Sequence, residues 1–122
     1  MIEVSFTTDV RHLAGHAVHC ERWTPTPAGD EPPLVLVHGL ASNARLWDGT
    51  AAALAAAGHT VAAVDLRGHG ASERPPTGYT SATMAEDFRA LHAALGLEPA
   101  CLIGHSFGGV VSMHAAAVAP ER

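Results

Sequence analysis

The stretch that decides the fold runs Cys101-Leu102-Ile103-Gly104-His105-Ser106-Phe107-Gly108-Gly109. Its apolar residues 101–103 predict a buried strand, and the Ala- and Val-rich segment 107–119 predicts a helix broken at Pro120. The intervening G-x-S-x-G is typical of a sharp strand-to-helix turn that lifts the serine hydroxyl clear of a sheet. Gly104 and Gly108 are needed there because a Cβ at either position would clash where strand and helix cross. The alternative is a glycine-rich turn with an incidental serine.

Earlier strands follow from hydrophobic patterning. Segments 2–8 and 16–23, joined by a turn around Leu13-Ala14-Gly15, predict an antiparallel hairpin. The Pro-rich segment 24–33 predicts a connection that can be neither helix nor central strand. The continuous apolar run over 34–37 predicts a strand buried on both faces of a parallel sheet, and 60–64 predicts a second buried strand.

Two further helices separate these strands. The first is expected from about 44 to 57, with Trp47 anchoring it, and the second follows the Gly- and Pro-rich loop 65–79. Candidate caps and stops are Ser42 or Asn43 with Gly58, and Thr80 or Ser81 with Gly96. The buried face of the second helix recurs at i, i+4, i+7 and i+11, as Met84, Phe88, Leu91 and Leu95.

Strands that alternate with helices imply right-handed βαβ crossovers, a mostly parallel sheet and an α/β fold with helices on both faces. Ligands of such sheets bind beyond the carboxyl ends of the strands. Three polar motifs follow those three ends: the turn at Ser106, the tripeptide His38-Gly39-Leu40, and the segment 65–72. This coincidence predicts a functional site at one edge of the sheet.

The tripeptide supplies a candidate oxyanion donor. Gly39 permits the backbone to turn toward the site, and the N–H of Leu40 is the candidate hydrogen-bond donor. We interpret His38 as a hydrogen-bond partner that braces the loop. The segment Asp65-Leu66-Arg67-Gly68-His69-Gly70-Ala71-Ser72 could suggest a catalytic dyad, but its composition favours a tight, internally hydrogen-bonded loop.

In these motifs the chain resembles the α/β-hydrolase superfamily, of the esterase, lactonase and C–C-bond hydrolase type. The residues that carry the resemblance are His38-Gly39, Asp65-Leu66-Arg67-Gly68-His69-Gly70-Ala71-Ser72, Gly78-Tyr79-Thr80 and Gly104-His105-Ser106-Phe107-Gly108-Gly109. The resemblance implies that Ser106 is the nucleophile and that the N–H groups of Leu40 and Phe107 form the oxyanion hole. It implies a supporting role for His38, Gly39, Gly104, His105, Gly108 and Gly109. Members with an acid at the elbow are epoxide hydrolases or haloalkane dehalogenases, and Ser106 favours neither.

The family order places an acid and then a histidine after the serine. Only 16 residues follow Ser106, and their single histidine, His114, lies about 12 Å along the elbow helix and cannot reach it. We therefore expect residues 1–122 to be the N-terminal part of one α/β-hydrolase domain, truncated after the elbow helix, with the acid and His beyond Arg122.

The expected function is a serine hydrolase that acts on a small-molecule ester, lactone, thioester or related carbonyl substrate through an acyl-enzyme on Ser106. Two alternatives remain open. One is a perhydrolase or acyltransferase of the same fold. The other is a catalytically inactive half-fold that serves as a binding or assembly module, and little turnover is expected of the isolated chain.

Composition limits the other function classes. A net charge of −5 gives no support for nucleic-acid binding, which requires a basic face. The uncharged stretch 99–120 is interrupted by glycines and polar residues, so no membrane span is expected, and the acidic start Met1-Ile2-Glu3-Val4 favours a cytoplasmic location.

No cofactor and no metal is expected. The candidate ligands near the hairpin turn fall on different faces of the strand; they are His12, His16, His19 and Cys20. Cys20 and Cys101 are expected on strands three steps apart, roughly 14 Å, and therefore as free thiols. The strand of Cys101 becomes a sheet edge, which predicts self-association.

Overall fold

The fold is built on one mixed sheet. The computed structural model describes residues 2–13, 15–97 and 99–121, and within them five strands pair in the order β1-β2-β4-β3-β5. Their bounds are β1 Glu3–Leu13, β2 His16–Thr26, β3 Leu34–Val37, β4 Val61–Val64 and β5 Cys101–Gly104. Strand β3 is parallel to both β4 and β5, whereas β2 is antiparallel to β1 and β4. The mixed sheet with an N-terminal hairpin confirms the predicted architecture.

The hairpin is longer than predicted. Its strands pair from Leu13↔His16 to Glu3↔Thr26, and part of the predicted turn, Ala14, lies outside the described residues. The expectation that 24–33 forms only a connection is wrong for 24–26, which belong to β2. The β2–β4 ladder ends at Trp23, so Pro25 has a strand neighbour on one side only. A proline, which lacks an N–H donor, is tolerated at such a strand end.

The described residues form three α-helices: α1 Asp48–Ala56 between β3 and β4, α2 Ser81–Ala94 between β4 and β5, and α3 Phe107–Val118 after β5. The first predicted helix is confirmed in extent but not in type, since Ala44–Trp47 forms a 3₁₀ turn before α1. Asn43 caps that turn by accepting from the N–H of Arg45 at 2.9 Å. Thr80 caps α2 by accepting from the N–H of Thr83 at 3.2 Å, so one residue of each predicted pair of caps is used.

Alternate residues of the central strands pack into two hydrophobic cores, one on each face of the sheet. On one face, Val35, Val37 and Val64 pack with α2 and α3, whose buried residues include Met84, Phe88, Leu91, Val111 and Ala115. On the other face, Leu36, Val61 and Ala63 pack with α1 through Ala51 and Ala55, and Trp47 packs half-buried against this cluster. Helices therefore cover both faces, as predicted, because successive strand residues point to opposite sides.

Strand β5 departs from the expectation of a third buried strand. Cys101 and Gly104 are exposed, and Leu102 and Ile103 are only half-buried. The reason is that β5 pairs with β3 alone within the described residues, so one of its long edges is open. Cys20 is buried on β2, three strands from β5, and both cysteines are free thiols as predicted.

Within the described residues, no helix has the length and hydropathy needed to cross a bilayer.

Candidate active site

The three polar motifs lie at one edge of the sheet. Because β3, β4 and β5 run parallel, the segments that leave their carboxyl ends start side by side. The N–H of His105 donates to the carbonyl of Val37 at 3.0 Å, which extends the β3–β5 ladder into the elbow. The sequence therefore placed the motifs correctly, and the local geometry of each motif shows what it does there.

The elbow turns sharply at Ser106. Its backbone has φ 55° and ψ −119°, and α3 begins at the next residue. A non-glycine residue at such angles carries strain of about 1–3 kcal/mol, which the surroundings must enforce. A Cβ on Gly104 would lie 2.5 Å from the backbone N of Gly109, and one on Gly108 would lie 2.7 Å from the carbonyl carbon of Val37. The predicted need for both glycines is thus confirmed.

The two candidate oxyanion donors have unused hydrogen-bonding capacity. In the described part of the chain, the N–H groups of Leu40 and Phe107 donate to no protein acceptor. A Cβ on Gly39 would lie 3.3 Å from the Cβ of Ser106, so the loop that carries Leu40 passes directly against the serine. Phe107 is the first residue of α3, where unpaired N–H groups and the helix dipole favour a negative charge. Their role as an oxyanion hole stays a prediction.

His38 braces the loop in the way that its interpretation requires. The ring is fully buried, and its Nε2 accepts from the N–H of Leu66 at 3.0 Å while Nδ1 bonds the carbonyl of Gly39 at 2.7 Å. Burial lowers the pKa of His38 and so keeps the ring neutral. It therefore serves as a structural link between two loops.

Asp65 is the centre of a hydrogen-bonded loop. Its carboxylate accepts from the N–H of Ala44 at 2.7 Å and from that of Ala71 at 3.1 Å, and it pairs with Nδ1 of His19 at 2.8 Å. A Cβ on Gly70, whose φ is 52°, would collide with the same carboxylate. Because these partners occupy the carboxylate, the interpretation of 65–72 as a tight loop is preferred over a dyad.

A buried ion pair that sequence reasoning missed fixes the far end of that loop. Arg67 donates from Nε and Nη2 to the two oxygens of Asp87, at 2.9 and 3.0 Å, and from Nη1 to the carbonyl of Thr77 at 2.8 Å. The hydrogen bonds to Asp87 raise the pKa of Arg67 above its ordinary value. Asp87 lies three residues after Met84 and four before Leu91, on the apolar face of α2. A charged residue on that face is the feature of the sequence from which a buried ion pair could be predicted.

The other histidines near the elbow differ from His38 in their exposure to solvent. His105 and His114 are exposed, and His114 lies in the second half of α3. No group of three metal-ligating side chains occurs within the described residues; His19 pairs with Asp65, and His16 lies 3.6 Å from Asp87. A cavity of about 250 Å³ lies between α2, α3 and β5, away from Ser106.

Similarity to known proteins extends over most of the chain. A family model described as the α/β hydrolase fold matches residues 32–122. The soluble epoxide hydrolase of Corynebacterium sp. (strain C12) is 45% identical over 112 residues, which cover 88% of this chain and 37% of that protein.

Solved structures show the same similarity. The epoxide hydrolase CorEH superposes with a TM-score of 0.85 at 37% identity, over 96% of this chain and 39% of that one. The thioesterase domain from the curacin biosynthetic pathway also gives 0.85, at 28% identity, over 96% and 41%. The chain spans about a third of the length of the curated relatives that it matches.

Proposed function

Because the chain belongs to the α/β-hydrolase family, we propose that the protein is a serine hydrolase that works through an acyl-enzyme on Ser106. The observation that carries the proposal is the elbow itself. Ser106 is exposed at a strained turn at the start of α3, and Gly39, in the loop of Leu40, passes close to its Cβ. The N–H groups of Leu40 and Phe107 have no partner among the described residues, which supports their role as the oxyanion hole. An ester, lactone, thioester or related carbonyl compound is the proposed small-molecule substrate.

The chemistry of a hydroxyl nucleophile supports a carbonyl substrate over an epoxide or an alkyl halide. Attack of the serine Oγ on the carbonyl carbon of an ester or thioester breaks the bond to the alcohol or thiol, which leaves with the proton that the serine gave up. The acyl-serine ester that remains can then be cleaved by water, which releases the acid and restores the serine. Attack on a saturated carbon would give an ether, which water does not cleave, so the enzyme would be blocked after one turnover. A carboxylate at position 106 would avoid this block, and the chain has serine there.

In the proposed mechanism, Oγ of Ser106 attacks the carbonyl carbon while its proton passes to a histidine base. The N–H groups of Leu40 and Phe107 stabilise the developing oxyanion, helped by the N-terminus of α3. We propose that the histidine and its acid partner are supplied beyond Arg122 in the whole protein, since His38 and His69 use both ring nitrogens for loop contacts. The cytoplasmic location stays a prediction.

Active-site labelling of the whole protein that carries this chain tests the proposal. A fluorophosphonate should attach to the peptide that contains Ser106, and p-nitrophenyl esters or acyl thioesters should be hydrolysed. Ser106→Ala should abolish labelling and reduce kcat by at least about 10³-fold. Ser42→Ala, the same substitution in a nearby loop, is the matched control and should label normally. Full hydrolysis by Ser106→Ala would refute the proposal.

The same assay separates the two alternatives. An added alcohol or hydrogen peroxide that captures the acyl group in place of water would indicate an acyltransferase or perhydrolase. A protein that neither labels nor turns over would favour a binding or assembly module.

A further inference from the structure

Two histidines link the loops of the active site in a reciprocal manner. His38, at the start of the loop after β3, accepts the N–H of Leu66 on its Nε2 at 3.0 Å. His69, in the loop after β4, accepts the N–H of Ala41 on its Nε2 at 3.1 Å. Each loop thus contributes an imidazole that receives a backbone N–H of the other. The ring centroids are 5.0 Å apart, so the two links lie side by side.

The partners of His69 determine its protonation state. Its Nδ1 lies 2.8 Å from the carbonyl of Arg67, which can only accept a hydrogen bond. The N–H of Ala41 can only donate, so Nε2 must be the unprotonated nitrogen. His69 is therefore neutral with its proton on Nδ1, and the same reasoning applies to His38 between Gly39 and Leu66.

His69 is itself held firmly. Its own N–H donates to the carbonyl of Leu66 at 2.9 Å, and its carbonyl accepts from the N–H of Ser72 at 3.1 Å. The guanidinium of Arg74 bonds the carbonyls of Gly68 and Gly70 on either side of it. A ring fixed in this way can act as a rigid acceptor for a neighbouring loop.

The N–H group that donates to His69 belongs to Ala41, a strained residue next to Leu40, the candidate oxyanion donor. Ala41 has φ 61°, which a residue with a Cβ adopts only under constraint. Leu40 directly precedes it, and its side chain is exposed, so packing does little to hold its peptide. On the other side of Leu40, the carbonyl of Gly39 is held by Nδ1 of His38 at 2.7 Å and by the N–H of Ser42 at 3.2 Å. Within the described part of the chain, the hydrogen bond to His69 is thus the contact from another loop that fixes the peptide after Leu40.

We propose that His69 is a positioning residue for the reaction at Ser106. Its neutral Nε2 holds the Ala41 peptide and thereby aims the N–H of Leu40 at the oxyanion. The proposal rests on the proposed function for the role of Leu40, whereas the hydrogen bond and the tautomer of His69 do not depend on it. Loss of the acceptor should loosen the donor in the transition state and affect substrate binding little.

Nitrogen-15 NMR of the histidine-labelled whole protein tests the structural part. His69, assigned by the signals lost in His69→Gln, should show a protonated Nδ1 and an unprotonated Nε2. The amide of Ala41 should be protected from hydrogen exchange, and His69→Phe, which keeps a ring but removes the acceptor, should abolish that protection. The opposite tautomer, or unchanged protection in His69→Phe, would overturn the proposal.

Kinetics test the catalytic part. Loss of an oxyanion donor costs about 10²–10³ in kcat, so a loosened donor in His69→Phe should cost roughly 10–100-fold, with KM almost unchanged. Affinity for a boronic acid that mimics the tetrahedral intermediate should fall in parallel. His69→Gln places an amide oxygen near the position of Nε2 and should rescue most of the loss. The control His114→Phe on the exposed face of α3 should leave kcat as it is. A wild-type kcat in His69→Phe would refute the role of His69. Full activity in Ser106→Ala would instead refute the proposed nucleophile, and the results on the tautomer and on hydrogen exchange would not be affected.

Discussion

Gly108 and Gly109 are adjacent in the first turn of α3, yet we expect opposite effects on the stability of the fold when each is replaced by alanine. A Cβ on Gly108 would lie 2.7 Å from the carbonyl carbon of Val37 and closer still to the carbonyl oxygens of Val37 and His38. On Gly109 the nearest atom to a new Cβ is the carbonyl oxygen of Gly104, at an ordinary 3.7 Å. The pair therefore separates the effect of close approach from the effect of helix propensity.

The magnitudes follow from these distances. Carbon atoms prefer separations of about 3.5–4.0 Å, so Gly108→Ala requires the backbone of α3 or β3 to move by about 1 Å. Overpacking typically costs 1–3 kcal/mol, and we expect about 3 kcal/mol here because both clashing partners are backbone atoms. Gly109→Ala should gain up to about 1 kcal/mol, since alanine is the better helix former. The two variants should differ by about 4 kcal/mol, or roughly 10³-fold in the folding equilibrium.

Urea unfolding followed by far-UV circular dichroism measures both variants against the wild type. The expected result is a lower midpoint for Gly108→Ala, at an unchanged slope, and an equal or higher midpoint for Gly109→Ala. If Gly108→Ala fails to fold, Gly109→Ala shows whether a Cβ in this turn is harmful in general. Equal stability of the two variants would refute the close approach of α3 to the end of β3.

Four further predictions concern separate features. Asp65→Asn should lose about 3 kcal/mol of unfolding free energy, because an amide NH₂ would face backbone donors, whereas Asp30→Asn in the exposed connection should be neutral by urea unfolding. Iodoacetamide at pH 8 should alkylate exposed Cys101 and spare Cys20, since burial raises the pKa of the Cys20 thiol to about 12; equal labelling by mass spectrometry would contradict this. Ser106→Gly should be about 1 kcal/mol more stable than Ser106→Ala in the same unfolding assay. The 122-residue chain should self-associate through the open edge of β5, and a monodisperse monomer in light scattering would argue against that.

Local and periodic signals account for the part of the fold that the sequence predicts. Apolar runs located β3, β4 and β5, and the spacing of Met84, Phe88 and Leu91 identified the buried face of α2. The G-x-S-x-G pattern located the elbow because strand, turn and helix follow one another there. Each of these features is encoded within about ten consecutive residues.

Features that depend on distant partners were not predictable in this way. The pairing of Arg67 with Asp87 spans 20 residues, and the approach of His16 to Arg67 spans 51. Nothing in the local sequence of α2 states which arginine would meet its buried carboxylate. The burial of β5 was misjudged for a related reason: its composition suits a central strand, but burial requires a second neighbouring strand, which the described residues do not supply.

The conformation of Ser106 argues for a functional turn over a merely structural one. Glycine adopts φ 55° and ψ −119° without a steric penalty, so a turn that only joined β5 to α3 would be more stable with glycine at this position. A serine there costs stability and places an exposed hydroxyl at the first residue before α3. Comparison of Ser106→Gly with Ser106→Ala isolates this cost, because both variants lack the hydroxyl and only one keeps the strained Cβ. Equal stability would mean that the turn is unstrained, and the case for a nucleophile would then depend on labelling alone.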